Sequence, residues 1–291
     1  MEYINIHKIH IFVEFSAVEY AYMELNASSS GKAKLAAVIK AAGDVVQTDD
    51  VIHALGISRT QASKQLSRWA NQGWLRRVGK GTYFPVHITL IDAEQVVEDP
   101  WVLVPPLFDP SYIGGRTAAE FWDLTEQIFR DIVVFTAQLV RKHEVEQQNM
   151  IYVLKHTSEH MIFGTKTVWR GQTKIAVSDI HRTIIDMMDD PALGGGIQHV
   201  ADCLERYLQN SECDPVKLVE YAERLGNGAV FKRLGFLAER LPQGQEVAEL
   251  CRGHLTKGNA KLDPAYECPR LATRWRLLLP ESWTFWKNVK E

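Results

Sequence analysis

The residues whose types and spacing point most clearly to chemistry are polar ones between residues 58 and 80. They are hydrogen-bond donors or cations with no acid among them: Ser58, Thr60, Gln61, Lys64, Arg68, Arg76, Arg77 and Lys80. Gln61 and Lys64 suit base edges in a DNA groove, and Thr60 suits a base or a phosphate. The arginines and Lys80 suit phosphates. The set therefore predicts a surface that binds double-stranded DNA.

Two helices joined by a tight turn are predicted to present the first five of these residues. We expect Thr48 to cap the first helix, which ends at Gly56. Ser58 is a good cap for the second helix, residues 59–72, which ends at Gly73. The apolar residues of that helix share the face opposite the polar ones: Ala62, Leu66, Trp69 and Ala70. This pattern is typical of a helix-turn-helix whose second helix enters the major groove.

A basic hairpin and a supporting helix complete the predicted unit. Residues 74–78 and 82–84 favour strands on either side of the turn 79–81, whose two glycines permit a tight hairpin. Residues 34–42 predict an amphipathic helix behind the helix-turn-helix. Residues 31–86 are therefore predicted to form a winged helix-turn-helix DNA-binding domain.

The charge distribution favours the same assignment. The chain of 291 residues has a formal net charge of −3. Residues 31–85 carry nine lysines and arginines against three aspartates, a net charge of +6, whereas residues 1–30 carry −3 and residues 86–291 carry −6. A basic small domain followed by an acidic remainder indicates that DNA contact is confined to the small domain.

The composition is that of a globular protein, with 46% hydrophobic and 24% charged residues. No stretch approaches the run of about 18 apolar residues that a membrane span requires, so no membrane partner is expected. The four cysteines form no C-x-x-C pair and suggest reduced thiols in a cytoplasmic protein. Cys251, His254 and Cys268 match no standard zinc spacing, so no metal and no cofactor is expected.

Residues 1–30 are predicted to be an extension and linker. Residues 9–13 form an apolar run that is too short and too interrupted for a signal peptide. Residues 26–31 are small and polar. Met23 lies just before that linker, and one hypothesis is that translation begins there. Whether residues 1–22 belong to the native protein stays open.

Residues 87–291 predict a small sheet followed by helices, so the expected fold class is α+β with a larger C-terminal domain. Short β-branched runs favour strands at 132–136, 151–154, 161–163 and 173–177. Helices are predicted at 178–190, capped by Ser178, and at 197–209, 214–225, 229–241 and 246–253. Thr117 and Glu120 have capping-box spacing for a further helix. Trp275, Trp283 and Trp286 indicate a docked C-terminal segment.

No constellation of residues is specific enough to predict catalysis. The sequence has no G-x-x-x-x-G-K-[ST] phosphate loop, no G-x-S-x-G elbow and no H-E-x-x-H motif. Residues 194–196 are three glycines without the lysine and hydroxyl of a nucleotide-binding loop, which favours a hinge or tight loop. Asp186, Asp189 and Asp190 could hold a divalent ion, but Arg182 lies four residues before Asp186 and offers it an intrahelical ion pair.

Three passages resemble the AbiEi family, the antitoxins of bacterial type IV toxin–antitoxin systems. The first is the winged helix with its wing GKGTYFP, and the second is YIGGRTAAEFWDLTEQ at 112–127. The third is SDIHRTIIDMMDDPALGGGIQHVADCL at 178–204, continued by GNGAVFKRLGFLAE at 226–239. The likeness covers residues 31–280 and leaves the first 30 residues outside it.

The resemblance implies a non-enzymatic protein in two parts. The N-terminal domain would bind inverted repeats in its own promoter and repress the operon. The C-terminal domain would counter an AbiEii-type nucleotidyltransferase toxin, and whether this needs direct contact stays open. By the same resemblance, antitoxicity is assigned to four residues at recurring positions of that domain: Arg182, Asp186, Lys232 and Arg233.

Two other classes of function remain open at the level of the sequence. One is a nuclease or nucleotide-dependent enzyme whose chemistry lies in the C-terminal domain, and the other is a ligand-sensing winged-helix regulator. Acids converging with a lysine in one cleft would favour the enzyme, and a closed apolar cavity would favour the sensor. A solid core with a basic or mixed surface patch would favour the antitoxin.

Overall fold

The computed structural model describes residues 30–86 and 99–284. The chain divides between residues 95 and 96 into two compact units. Several predictions concern residues outside the described ranges: the extension up to residue 29 with the hypothetical start at Met23, the domain boundary near residues 86–87, and the docking of Trp286.

The N-terminal unit packs three helices against a small antiparallel sheet. Its elements are α1 Ser30–Ala42, β1 Val46–Gln47, α2 Thr48–Leu55, α3 Arg59–Asn71, β2 Leu75–Gly79 and β3 Thr82–Pro85. The sheet has the order β1-β3-β2, and its core includes the predicted inner face of α3. This is the winged helix-turn-helix arrangement that the sequence predicts. Because α1 begins at Ser30, the prediction of a linker as far as Gly31 is wrong.

The turn between α2 and α3 follows the predicted signals. Gly56 and Gly73 have φ angles of 63° and 73°, the left-handed conformation that ends a helix at low cost for glycine. Ser58 caps α3, since its Oγ accepts a hydrogen bond from the backbone N–H of Gln61 at 3.4 Å. These local contacts fix where α3 starts and therefore which of its residues face outward.

Thr48 does not cap α2, contrary to the prediction. It is the first helical residue, and the Asp50 carboxylate instead accepts the backbone N–H of Gln47 at 2.7 Å. Thr48 anchors the wing, the hairpin formed by β2 and β3: its N–H and Oγ1 donate to the carbonyl of Gly81 at 3.0 and 3.3 Å. Gly81 has a φ of 76°, and a Cβ there would lie 2.8 Å from the Thr48 hydroxyl. The turn of the wing is therefore tied to the first residue of α2.

A six-stranded mixed sheet lies in the C-terminal unit. Its strands are β4 Ser111–Ile113, β5 Asp131–Thr136, β6 Glu144–Gln147, β7 Met150–His156, β8 Thr165–Arg170 and β9 Thr173–Ser178, in the order β6-β7-β5-β4-β9-β8. β5 runs parallel to β7 and β4 parallel to β9, while the other neighbours are antiparallel. Three of the four predicted strands are confirmed. The strand predicted at 161–163 is wrong, because the buried Phe163 lies in a loop and stacks on Arg182 rather than pairing with a strand.

Seven α-helices occur among the described residues of this unit. They are α4 Val104–Phe108, α5 Gly115–Phe121, α6 Ile180–Asp189, α7 Ile197–Leu208, α8 Pro215–Leu225, α9 Gly228–Ala238 and α10 Gln245–Arg252. The central helix is α6, which contacts α5, α7, α8 and α9 and is buried on every side from Ile180 to Met188. Ser178 does not cap it, because Ser178 ends β9. Asp179 is the cap, and its carboxylate accepts the N–H of Arg182 at 2.8 Å.

Thr117 does not cap α5 either, so the capping box predicted with Glu120 is wrong. The helix begins two residues earlier, after Gly114. The Thr117 hydroxyl instead accepts the backbone N–H of Val133 at 2.9 Å, which fastens α5 to β5.

The C-terminal segment is docked on the helices, as predicted from its tryptophans. It contributes a small sheet of β10 Ala260–Lys261, β11 Arg270–Ala272 and β12 Leu277–Leu279. Trp275 and Trp283 are buried in the main core. The predicted α+β class is confirmed. Across the described ranges, every helix is too short or too polar to cross a bilayer.

Candidate nucleic-acid interface and buried charge clusters

The outer face of α3 is a polar surface at helical spacing. The residues on this face are all exposed: Thr60, Gln61, Lys64, Ser67, Arg68 and Asn71. Lys64, Ser67, Arg68 and Asn71 lie together on this open face. Because α3 contains no acid, this face offers hydroxyls, amides and cations, which are the groups that contact phosphates and base edges.

Ser58 and Gln61 have a structural task at the start of α3 in addition to the predicted DNA contact. Gln61 Oε1 accepts the backbone N–H of Ser58 at 3.0 Å and lies 3.1 Å from its hydroxyl. Together with the Ser58 cap this forms a reciprocal capping box. The amide NH₂ of Gln61 is the part of the side chain that is left for a base or phosphate.

An ion pair that the sequence analysis does not single out joins α2 to α3. Arg59 Nη2 lies 2.6 Å from Asp49 Oδ1, and both side chains are exposed. Arg59 is the first residue of α3, so the pair places one carboxylate beside the end of the helix predicted to enter the groove. Sequence spacing carries no signal for it, because the two residues are ten apart and in different helices.

The wing brings three predicted cations to the surface of the same unit. Arg77 and Lys80 are exposed, and Arg76 is half-buried opposite Phe84. Arg77 Nε donates to the carbonyl of Gly79 at 3.1 Å, which holds its side chain against the turn. The wing therefore presents positive charge close to the tip of the hairpin.

In the C-terminal unit, Arg182 and Asp186 form a completely buried ion pair, each 1% exposed. Arg182 Nε donates to Asp186 Oδ1 at 2.7 Å, which confirms the predicted intrahelical pair. The hydroxyl of Tyr112, from β4, accepts from Arg182 Nη2 at 3.0 Å and donates to Asp186 Oδ1 at 3.2 Å. We call these three side chains the α6 cluster. Spacing carries no signal for Tyr112, which lies 70 residues from Arg182 along the chain.

Burial dominates the electrostatics of the α6 cluster. Burial raises the pKa of Asp186 to about 6, although the neighbouring Arg182 works in the opposite direction. Within the described residues, Asp186 Oδ2 and Arg182 Nη1 are buried without a hydrogen-bond partner. The stability of the ion pair therefore depends on the contact between Arg182 Nε and Asp186 Oδ1 and on the hydrogen bonds of Tyr112.

Lys232 and Arg233, the other residues assigned to antitoxicity, are also buried and bind backbone. Arg233 Nη1 donates to the carbonyls of Met188 and Asp189 at 2.7 and 3.0 Å, so it caps the C-terminal end of α6. Lys232 Nζ donates to the carbonyl of Gly258 at 2.9 Å. The structure thus does not bring the four assigned side chains together on a surface.

The glycines of the family-like passages permit close packing around α6. Gly115 has a φ of 57°, and a Cβ there would lie 2.7 Å from the carbonyl oxygen of Leu193. A Cβ at Gly194 would lie 2.5 Å from Val200. Arg116 donates to the carbonyl of Ala192 at 3.0 Å, which closes the contact between the two passages. Residues 194–196 form a tight turn into α7, in agreement with the loop interpretation.

The acids considered for a divalent ion are engaged with other groups. Asp189 Oδ1 accepts from Asn227 at 2.6 Å, and Asp190 Oδ2 lies 2.7 Å from Lys155 Nζ. Over residues 30–86 and 99–284, no group of three or more His, Cys, Asp or Glu side chains is arranged to hold a metal ion. Asp186, Asp189 and Asp190 thus each engage a different partner, and Asp190 is the one that pairs with a lysine.

The helices, the sheet and the basic hairpin define the N-terminal unit as a winged helix, a class of DNA-binding module. Residues 34–85 match the family model described as "Transcriptional regulator, AbiEi antitoxin". The resemblance to the AbiEi family is thereby confirmed for this unit, and a role as a regulator is supported.

A similar fold occurs in a solved structure. It is the crystal structure of the RV2827C protein from Mycobacterium tuberculosis, with 16% sequence identity and a TM-score of 0.52. The match covers 86% of this chain and 92% of that chain. At this identity the likeness shows the fold alone. Among curated proteins, none matches the sequence.

Proposed function

We propose that the protein is a transcriptional autorepressor that binds inverted repeats in its own promoter. The observation that carries the proposal is the acid-free, exposed face of α3 beside a basic wing, within residues that match a regulator family. The proposed contacts are Gln61 and Lys64 with base edges, and Arg68 with a phosphate. Two copies on two half-sites about one helical turn apart would add their binding energies.

We further propose that the protein is the antitoxin of a type IV toxin–antitoxin system and acts in the cytoplasm. It would counter an AbiEii-type nucleotidyltransferase toxin, with or without direct contact. The word antitoxin in the description of the matched family supports this. Arg182, Asp186, Lys232 and Arg233 are proposed to serve antitoxicity by holding α6 and its neighbours in place, because all four are buried.

Repression and antitoxicity can be tested separately in cells. A reporter driven by the DNA upstream of the coding region measures repression, and growth during expression of the neighbouring candidate toxin measures antitoxicity. Lys64→Ala and Arg76→Ala are expected to relieve repression while rescue from the toxin is retained, because these side chains lie outside the C-terminal unit. Lys142→Ala, which removes an exposed lysine of that unit, is the matched control and should leave both readouts unchanged.

Two results would contradict the proposal. If Lys64→Ala and Arg76→Ala repress as well as the wild type, the groove assignment is wrong. If the wild-type protein represses but gives no rescue from the neighbouring candidate toxin, the antitoxin half fails and the regulator half stands.

A further inference from the structure

The C-terminal unit contains a single carboxylate surrounded by three arginines. Glu239 Oε1 lies 2.9 Å from Arg252 Nη2 and 3.1 Å from Arg274 Nη1, and Glu239 Oε2 lies 3.3 Å from Arg240 Nη1. The indole N–H of Trp275 donates to Oε2 at 2.7 Å. We call the three arginines with Glu239 the arginine cluster. One negative charge faces three positive ones, so the cluster has a surplus of two positive charges.

Buried aromatic rings hold two of these guanidinium groups in place. Arg240 lies 4.0 Å from the ring centroid of Phe236, and Arg252 lies 5.8 Å from that of Trp275. Arg240 Nη1 also donates to the backbone carbonyl of Phe236 at 3.0 Å. Because these ring contacts and the ion pairs with Glu239 already restrict the two side chains, less conformational entropy is lost when an anion binds.

The cluster opens to solvent on one side. Glu239 forms its floor with 10% exposure, whereas the side chains of Arg252 and Arg274 are 37% and 61% exposed. Arg252 Nε is buried and has no hydrogen-bond acceptor among the described residues. Burial lowers the pKa of Arg240, Glu239 opposes that shift, and the charge of Arg274 lowers the pKa further. One carboxylate paired with three arginines therefore leaves part of their positive charge uncompensated.

A purely structural role accounts for only part of this arrangement. Glu239 and the Trp275 indole N–H are sufficient to dock the C-terminal segment on α9, and one arginine would neutralise the carboxylate. Three arginines around one carboxylate instead resemble an anion-binding site in which the Glu239 carboxylate already occupies part of the site. Guanidinium groups pair with phosphate oxygens in a bidentate manner, and two surplus charges match a phosphate dianion.

We propose that the arginine cluster binds a phosphate group. The phosphate can come from a free nucleotide or polyphosphate, or from a nucleic-acid backbone. Arg274 is the outermost ligand, Arg252 and Arg240 are the inner ones, and Glu239 sets their orientation. This site lies in the C-terminal unit and is distinct from the proposed DNA-binding face of α3.

Calorimetric titration of the full chain tests the proposal. The protein carries Lys64→Ala and Arg76→Ala to suppress binding at α3 and the wing, and the ionic strength is held constant. One arm uses sodium tripolyphosphate and the other a single-stranded oligothymidylate. Tighter binding of tripolyphosphate identifies a free-phosphate source, and tighter binding of the oligonucleotide identifies a backbone source.

Arg274→Ala and Arg270→Ala form the matched pair of variants in that background. Both arginines are about 60% exposed and lie on the same segment, but Arg270 pairs with Glu281 outside the cluster. Arg274→Ala is expected to weaken binding roughly tenfold or more, and Arg270→Ala to leave it unchanged. Thermal unfolding of both variants confirms that they are folded. If neither probe binds, or if both variants bind equally well, the proposal is overturned.

Discussion

Replacing Arg182 with methionine should destabilise the C-terminal unit far more than the loss of an exposed arginine. Arg182 and Asp186 are each 1% exposed, so the variant leaves a buried carboxylate whose remaining hydrogen bond comes from Tyr112. Breaking a buried pair in this way costs about 3–5 kcal/mol. Arg206→Met is the matched control, because Arg206 pairs with the exposed Glu126, and such solvent-screened surface pairs contribute little to stability.

The pH dependence of the same variant gives a second, independent readout. Burial raises the pKa of Asp186 from 3.8 to about 6 in the folded protein, so its contribution to stability is present below pH 3.8 and is lost as pH rises through 6. Without Arg182 the folded pKa rises further, and the loss continues to higher pH. The difference in stability between wild type and Arg182→Met should therefore widen between pH 5.5 and 8, by at most about 1.4 kcal/mol per pH unit.

Urea unfolding followed by circular dichroism measures these differences. Separate transitions for the two compact units are fitted, since a single two-state fit would mix them. The double variant Arg182→Met, Asp186→Leu removes both charges and should be more stable than Arg182→Met alone. The reasoning is refuted if Arg182→Met costs no more than Arg206→Met, or if its cost is the same at every pH.

Three smaller predictions concern single contacts. Asp49→Asn removes a negative charge that is paired with Arg59 at the start of α3, and it should tighten DNA binding up to about fivefold at low salt. Weaker binding would mean that the ion pair holds Arg59 in the orientation that contacts DNA. Gln61→Ala loses half of the capping box and should lower the stability of the N-terminal unit by about 1 kcal/mol in thermal unfolding. Gly235→Ala drives a Cβ into the Trp275 ring and should cost about 1–3 kcal/mol in urea unfolding, with an unchanged midpoint as the contrary result.

Local signals in the sequence were sufficient to predict the helix-turn-helix and the wing of the N-terminal unit, although not the cap of α2 or the start of α1. Gly56, Ser58 and Gly73 set the ends of α2 and α3 through contacts that span a few residues, and the 3.6-residue period identified the buried face of α3. The errors at Thr48 and Ser178 have one physical cause. In both cases an acid or another polar side chain one or two residues away makes the stronger capping contact, while the hydroxyl binds elsewhere.

The surroundings of these charged side chains could not be predicted from sequence patterns. The Arg182–Asp186 pair is readable from its spacing of four, but its burial depends on Tyr112, which arrives from a distant strand. Glu239 meets Arg274 across 35 positions through the docking of the C-terminal segment, and no periodicity predicts such a contact. Tertiary packing alone determines whether these charges face water or the core.

The salt dependence of specific DNA binding is the sharpest test of whether α3 and the wing contact DNA. Fluorescence anisotropy compares the wild type, Lys64→Ala and Arg76→Ala on the DNA upstream of the coding region and on random DNA, at 2 salt concentrations of about 50 and 200 mM. Specific binding by the wild type is predicted, with Lys64→Ala losing about 1–3 kcal/mol on the specific site and Arg76→Ala weakening both DNAs and reducing the salt slope by about 1. Equal affinity of the wild type for both DNAs, or variants indistinguishable from it, would contradict the account.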